Sequence, residues 1–155
     1  IYSADEEQQL VRLGESHEVP FLTEDAHPSG GGGLTATIDD YLRFAAILRG
    51  DGAHDGVRLL GRKSVELMRR NHLLPDQRPP EQPTLGFGLG LGVTTEEAAL
   101  EGLDTPGRYG WSGMAGTDYW ADPEEDLVAV LMMQRIGDNE PLRRAFRRAV
   151  YQAVI

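Results

Sequence analysis

The chain has 155 residues, no cysteine and a formal net charge of −10. That length supports one domain with a sizeable core. Within it, the lack of thiols excludes disulfides, thiolate nucleophiles and Cys-ligated metals, and the acidic balance argues against nucleic acid or an anionic membrane as a main partner, because both require cationic patches.

No apolar run reaches the roughly 18 residues that span a bilayer, and no signal-like segment is present. A chain that starts at Ile1 is therefore expected to begin inside a longer reading frame or after processing, with a cytoplasmic setting as the starting assumption. The charge is uneven: residues 95–126 carry nine acids against the single Arg108, whereas Arg143, Arg144, Arg147 and Arg148 crowd the C-terminal end. Those arginines read as a solvated helix face or as a dock onto acidic surface, in preference to a phosphate site.

Residues 1–28 are acidic and poorly periodic and are expected to be mostly loop, with a short helical turn over 3–10 or, equally, an edge strand over 9–13. His17 and His27 are ten apart without metal-type spacing, so a solvated or capping role is expected, and no metal or other cofactor is called for. Ser29 opens a run of four glycines (30–33). A helix start directly after them suggests a structured loop rather than a linker. A dinucleotide-type Gly-x-Gly-x-x-Gly fails at Thr35, and the stretch from Gly56 to Ser64 misses a P-loop because Arg62 intrudes before Lys63.

Thr37 followed by Asp39 and Asp40 marks a helix N-terminus, where a side-chain oxygen and negative charge suit the free N–H groups. Ile38, Tyr41, Leu42, Ala45 and Leu48 recur at helical spacing, and Phe44 and Ile47 widen the face, so this helix is expected to be largely buried and to end at Gly50. A polar turn over 51–56 follows. A second short helix spans 62–70 with Val65 and Met68 inward and Asn71 as its stop. Pro75, Pro79, Pro80 and Pro83 then make an extended connection.

From Leu85 to Val93 apolar residues alternate strictly with Gly86, Gly88, Gly90 and Gly92, the pattern of one strand bare on one side. Such a strand suits the wall of a cleft or close sheet–helix packing. Residues 96–100 read as a helical turn or an acidic loop. Residues 122–126 read as a hairpin turn around Pro123. Residues 127–133 are apolar on both faces and predict a central strand, antiparallel to 117–121 and covered on both sides. A last helix runs from Glu140 to Val154, capped by Asp138 or Asn139, with Leu142, Ala145, Phe146, Ala149, Val150, Ala153 and Val154 as its apolar stripe.

The fold class expected is α/β of the α+β type: an antiparallel sheet packed by a C-terminal helix, plus part of a helical subdomain. The divisions are an acidic segment (1–28), a helical portion (29–84), and the sheet with its helix (85–155).

The remaining stretch, from Tyr109 to Trp120, holds both tryptophans and Gly110, Gly113 and Gly116. It admits two readings. One is a core hairpin with two packed tryptophans. The other is a strand entering a site, a Gly-rich corner and a strand leaving it, in which an N–H beside a glycine binds a developing oxyanion. A nucleophile is harder to find. Ser3, Ser16, Ser29, Ser64 and Ser112 all lack a lysine three residues on, and no Gly-x-Ser-x-Gly or His-Glu-x-x-His occurs.

Taken in order, Ser29-Gly-Gly-Gly-Gly-Leu-Thr-Ala-Thr-Ile-Asp-Asp-Tyr-Leu-Arg-Phe, Gly56-Val-Arg-Leu-Leu, Ser64-Val-Glu-Leu-Met, Gly86-Phe-Gly-Leu-Gly and Tyr109-Gly-Trp-Ser-Gly with Asp122-Pro123 resemble the C-terminal half of the serine β-lactamase-related family. That family has the β-lactamase/transpeptidase-like fold and includes class C β-lactamases, β-lactamase-like carboxylesterases and D-aminopeptidases. The resemblance covers residues 29–155 and is nearest to the esterase-like members. It implies that Trp111-Ser112-Gly113 is the third active-site motif and edges the substrate cleft. It also implies that the backbone N–H of Met114 is the second oxyanion donor, the nucleophile's own N–H being the first. Trp111 stands where many β-lactamases carry lysine, which removes a cation for a substrate carboxylate and favours neutral esters. The family's Ser-x-x-Lys is absent, and Tyr2-Ser3-Ala4 departs from Tyr-x-Asn/Ser at Ala4, so no catalytic tyrosine is transferred.

The expected function is therefore the C-terminal part of a serine ester hydrolase working through an acyl-enzyme. Its expected partners are a small ester or amide substrate and the missing N-terminal half of the same polypeptide. The alternatives are a β-lactamase, D-amino-acid peptidase or penicillin-binding activity, and a non-catalytic binding or scaffold domain.

Overall fold

The structure is a computed structural model that describes residues 1–5, 7, 9–14, 29–31 and 33–154. His17, His27 and Ser16 lie outside the described residues. At the N-terminus β1 (Tyr2–Ala4) and β2 (Leu10–Arg12) pair antiparallel, so an edge strand forms where a helical turn was the other option.

α1 (Ile38–Arg49) begins as its sequence dictates: the Thr37 hydroxyl accepts the Asp40 N–H at 3.2 Å, and Gly50 closes the C-terminus. Ala45 and Leu48 are fully buried, whereas Ile38 and Phe44 stay exposed, so the helix buries a narrower stripe than its periodicity suggests. A small hairpin, β3 (Ala53–His54) and β4 (Val57–Arg58), turns at Asp55 and Gly56, both with positive φ. α2 (Arg62–Met68) follows, with Val65 buried. Beyond it the Asn71 carboxamide oxygen accepts the N–H groups of Leu73 and Phe87, each at 3.0 Å. A 3-10 turn (Pro75–Gln77) punctuates the proline-rich connection.

The glycine-alternating stretch is not one strand. It folds as a hairpin of β5 (Leu85–Phe87) and β6 (Gly92–Thr94), with Gly90 at φ 79° in the turn. Gly88 explains the break. Its backbone lies so close to the end of α2 that a Cβ would run into the Met68 carbonyl, and the next N–H, of Leu89, donates to that carbonyl at 2.9 Å. The bare backbone therefore serves close packing at this point.

α3 (Glu96–Ala99) is a single turn capped by the Thr95 hydroxyl. β7 (Tyr109–Ser112), β8 (Asp118–Asp122) and β9 (Leu127–Leu131) complete a five-stranded antiparallel sheet in the order β5-β6-β7-β8-β9. β9 pairs antiparallel with β8 as expected, but it is the end of the sheet rather than its centre: among the described residues no strand lies on its other side. Tyr119 meets Tyr41 of α1 on one face, with ring centroids 5.0 Å apart. The adjacent Trp120 meets Phe146 on the other face at 5.5 Å.

Phe146 belongs to α4 (Glu140–Gln152). This helix is rotated from the orientation its apolar stripe implies. Glu140, Arg143, Phe146, Arg147, Val150 and Tyr151 are the half-buried positions, while Leu142, Ala145, Ala149, Ala153 and Val154 are exposed. The sheet face beneath holds buried Asp118, Trp120 and Asp122, which attract guanidinium and phenol groups more than methyl groups. Just before α4, β10 (Arg135–Ile136) pairs parallel with β1, Tyr2 facing Arg135 and Ser3 facing Ile136.

Candidate functional site

The corner between β7 and β8 is built from backbone contacts that glycine permits. The Gly113 N–H donates to the Thr117 carbonyl at 2.8 Å, and the Gly116 N–H returns to the Gly113 carbonyl at 3.1 Å. Gly116 has φ 89°, and a Cβ there would lie 2.9 Å from both Asn139 Nδ2 and Met133 Cε. The segment before α4 and the helix itself close over this turn. The Arg135 N–H donates to the Ala115 carbonyl at 2.9 Å, and Arg143 Nη2 reaches the Gly113 carbonyl at 2.7 Å and the Thr117 carbonyl at 3.4 Å. Asn139, 2 % exposed, is not the side-chain cap its position suggests. Its amide donates instead to the carbonyls of Arg135 and Gly137, and its oxygen accepts from Arg135.

Among the described residues nothing accepts the Met114 N–H, and the Met114 side chain is 77 % exposed. The two tryptophans part company. Trp120 is fully buried, whereas Trp111 is half exposed, edge-on to Phe87 at 5.0 Å, with its ring over the bare backbone of Gly92. The hairpin is thus core at one tryptophan and open at the other. A groove of about 420 Å³ passes Trp111 and Ser112 and is walled further by Leu85, Asp118 and Arg147; Gly113 and Met114 do not line it.

Below Ser112, and paired with it across the strands, is Asp118. Burial pushes its carboxyl above the ordinary aspartate range, against the opposing pull of Arg147, Arg143 and Arg108. Arg147 is 3.5 Å from Asp118 and 3.7 Å from Asp104, which also holds Arg108 at 3.1 Å. Burial in turn lowers the Arg108 guanidinium from its ordinary value. Both guanidiniums lie over the Trp120 ring, at 5.9 and 5.8 Å. Two of the four C-terminal arginines are therefore docked inward, Arg147 on carboxylates and Arg143 on carbonyls, while Arg144 makes an exposed pair with Glu140.

Trp111, Ser112, Gly113 and Met114 are contiguous in the chain and stand together at this corner. The residues that hold it, Arg135, Asn139 and Arg143, were not singled out from the sequence. One signal was present: Asn139, Arg143 and Arg147 recur every four residues, a polar line on one side of α4 beside Phe146 and Val150. Among the described residues no group of His, Asp and Glu is placed to hold a metal ion. No helix among them is long and apolar enough to cross a membrane.

The family model described as Beta-lactamase matches residues 2–153. The chain belongs to the beta-lactamase family. Protein Rv1367c of Mycobacterium tuberculosis is 39% identical over 150 residues, covering 89% of this chain and 36% of that protein. Esterase EstB of Burkholderia gladioli is 28% identical over 168 residues, covering 95% of this chain and 40% of that protein. The fold is similar to that of EstCE1, a hydrolase with promiscuous acyltransferase activity, with a TM-score of 0.79, 23% identity and 97% of this chain covered. It is likewise similar to a mutant of the simvastatin synthase LovD from Aspergillus terreus, with a TM-score of 0.77, 23% identity and 97% of this chain covered. The chain spans 42% and 41% of those two structures. It is thus a member of the beta-lactamase family that shares its fold with these two structures, and it spans less than half the length of these relatives.

Proposed function

We propose that this chain is the C-terminal portion of a serine hydrolase that cleaves esters through an acyl-enzyme, and that it supplies the oxyanion side of the site. The observation that carries the reading is the Met114 amide, which has no acceptor among the described residues and sits on a turn whose Gly113, Ala115 and Thr117 carbonyls are all engaged. In this reading the N–H of Met114 donates to the carbonyl oxygen as negative charge develops on it, and the N–H of a serine outside these residues donates from the other side. Trp111 offers the acyl group an exposed apolar face, steadied by Phe87 and Gly92, with Ser112 and Gly113 forming the rim. The absence of a Ser-x-x-Lys from these 155 residues, together with a span of about two fifths of the relatives, supports a nucleophile elsewhere in the polypeptide. A small ester is the substrate class that Trp111 favours, since it adds no cation to hold a carboxylate.

The test uses p-nitrophenyl butyrate. This chain alone is expected to give no burst of p-nitrophenol, and the longer protein carrying the Ser-x-x-Lys portion is expected to give one. A longer protein with an intact Ser-x-x-Lys that stays inert on both ester and β-lactam panels would overturn the reading and leave a binding or scaffold role.

A further inference from the structure

Arg143 is the arginine of α4 whose contacts differ in kind from those of its neighbours. Arg144 and Arg147 are each paired with carboxylates. Among the described residues no carboxylate lies within ion-pair distance of Arg143; its guanidinium is directed at two backbone carbonyls 26 and 30 residues away in the chain. The nearer, at 2.7 Å, is Gly113. The Gly113 carbonyl and the Met114 N–H belong to one planar, trans peptide unit, so they point in opposite directions from the same rigid plate. A donor that holds the oxygen on one side sets where the hydrogen points on the other.

From this geometry we infer that Arg143 is a positioning residue for the Met114 amide, acting through the Gly113 carbonyl; the inference rests on the hydrolase reading above. Two effects follow from a charged donor at that oxygen. It restrains rotation of the peptide plane, together with the Gly116 N–H that shares the same acceptor at 3.1 Å. It also draws electron density toward the oxygen and leaves the N–H a stronger donor, since charge-assisted hydrogen bonds polarise their acceptors. The benefit is felt where charge builds on the substrate oxygen, so the effect belongs to the chemical step more than to substrate binding.

The experiment uses the longer protein carrying the Ser-x-x-Lys portion. Arg143→Met keeps the aliphatic stem and removes the donors. It is expected to lower kcat for p-nitrophenyl butyrate roughly 10- to 100-fold, less than deleting an oxyanion donor outright, with KM within about 3-fold. Arg143→Lys, which restores one cationic donor, is expected to recover part of the loss and is also the variant to read if Arg143→Met does not fold. Arg148→Gln, an exposed arginine on the same helix, is the control and should leave kcat unchanged. The amide resonance of Met114 is recorded in parallel and is expected to shift in Arg143→Met but not in Arg148→Gln. An active wild type with unchanged kcat in both Arg143 variants overturns the inference and leaves the hydrolase reading standing. An inert wild type removes the hydrolase reading, and a Met114 resonance that then ignores Arg143 overturns the clamp as well.

Discussion

At one end of β8 the chain reverses through residues 122–126, and at the other through 113–117. The first turn is made by its own side chains. Asp122, fully buried, accepts the N–H groups of Glu124 and Glu125 at 3.2 and 3.3 Å, and Asp126 takes φ 51°. Its remote supports are two side chains: the Tyr151 hydroxyl, which donates to Asp122 at 2.7 Å, and Arg49 of α1, which pairs with Asp126. The second turn has glycines where the first has carboxylates, and its order is imposed from a distance by Arg135, Asn139 and Arg143. A turn that satisfies itself only has to connect two strands. A turn whose carbonyls are held from outside, and which leaves the Met114 N–H without an acceptor among the described residues, has a backbone arranged for something other than connection.

The largest effect expected on this contrast comes from Gly116→Val. A β-branched residue at φ 89° is strained, and its Cβ meets Asn139 and Met133. A loss of roughly 2–4 kcal/mol in urea denaturation is expected, together with loss of ester hydrolysis in the longer protein. A shift no larger than that of a surface substitution would mean that the corner is not closed over by α4. Next is Asp122→Ala, which strips the other turn of its acceptors. It is expected to cost about 1–3 kcal/mol while leaving the kcat of the longer protein unchanged; an equal fall in kcat would erase the distinction between the two ends.

The smallest effect is a pH effect. Burial raises the phenol pKa of Tyr41, Tyr109, Tyr119 and Tyr151, four of the five tyrosines. For Tyr151 the Asp122 carboxylate adds to it. Each phenol is more readily protonated in the fold than in the open chain, so its contribution is complete below the ordinary tyrosine value and is lost as pH climbs past it. Tyrosinate absorbance is expected to lag behind that of free tyrosine and to appear as the fold opens. In Asp122→Ala the lag of Tyr151 should shorten, because its hydrogen-bond acceptor and neighbouring negative charge are gone.

Much of this was legible in residue order because it depends on neighbours. Thr37 and Gly50 bracket α1 through contacts within four residues, and the antiparallel match of β8 with β9 follows from a short turn. The glycines at 113 and 116 mark the corner through the backbone shape they allow. What escaped was decided by remote groups. The break at Gly88 depends on the end of α2, which no alternation of glycine and leucine encodes. The roll of α4 depends on Asp118, Trp120 and Asp122 beneath it, so the stripe of Leu142, Ala145 and Ala149 lost the sheet to Arg143, Phe146 and Arg147. Pairing of β1 with β10 joins segments more than 130 residues apart, beyond any local pattern. The clamp on Gly113 belongs to the same class.

Among the described residues the outer side of β9 has no partner strand along Leu127–Leu131, a stretch without a charge or a proline to discourage company. Native proteins seldom leave such a margin bare, because a foreign backbone can zip onto it as readily as an intended one. Kept concentrated and apart from any further polypeptide, these 155 residues would therefore tend to stick margin to margin, and solubility would report on whether that seam is covered.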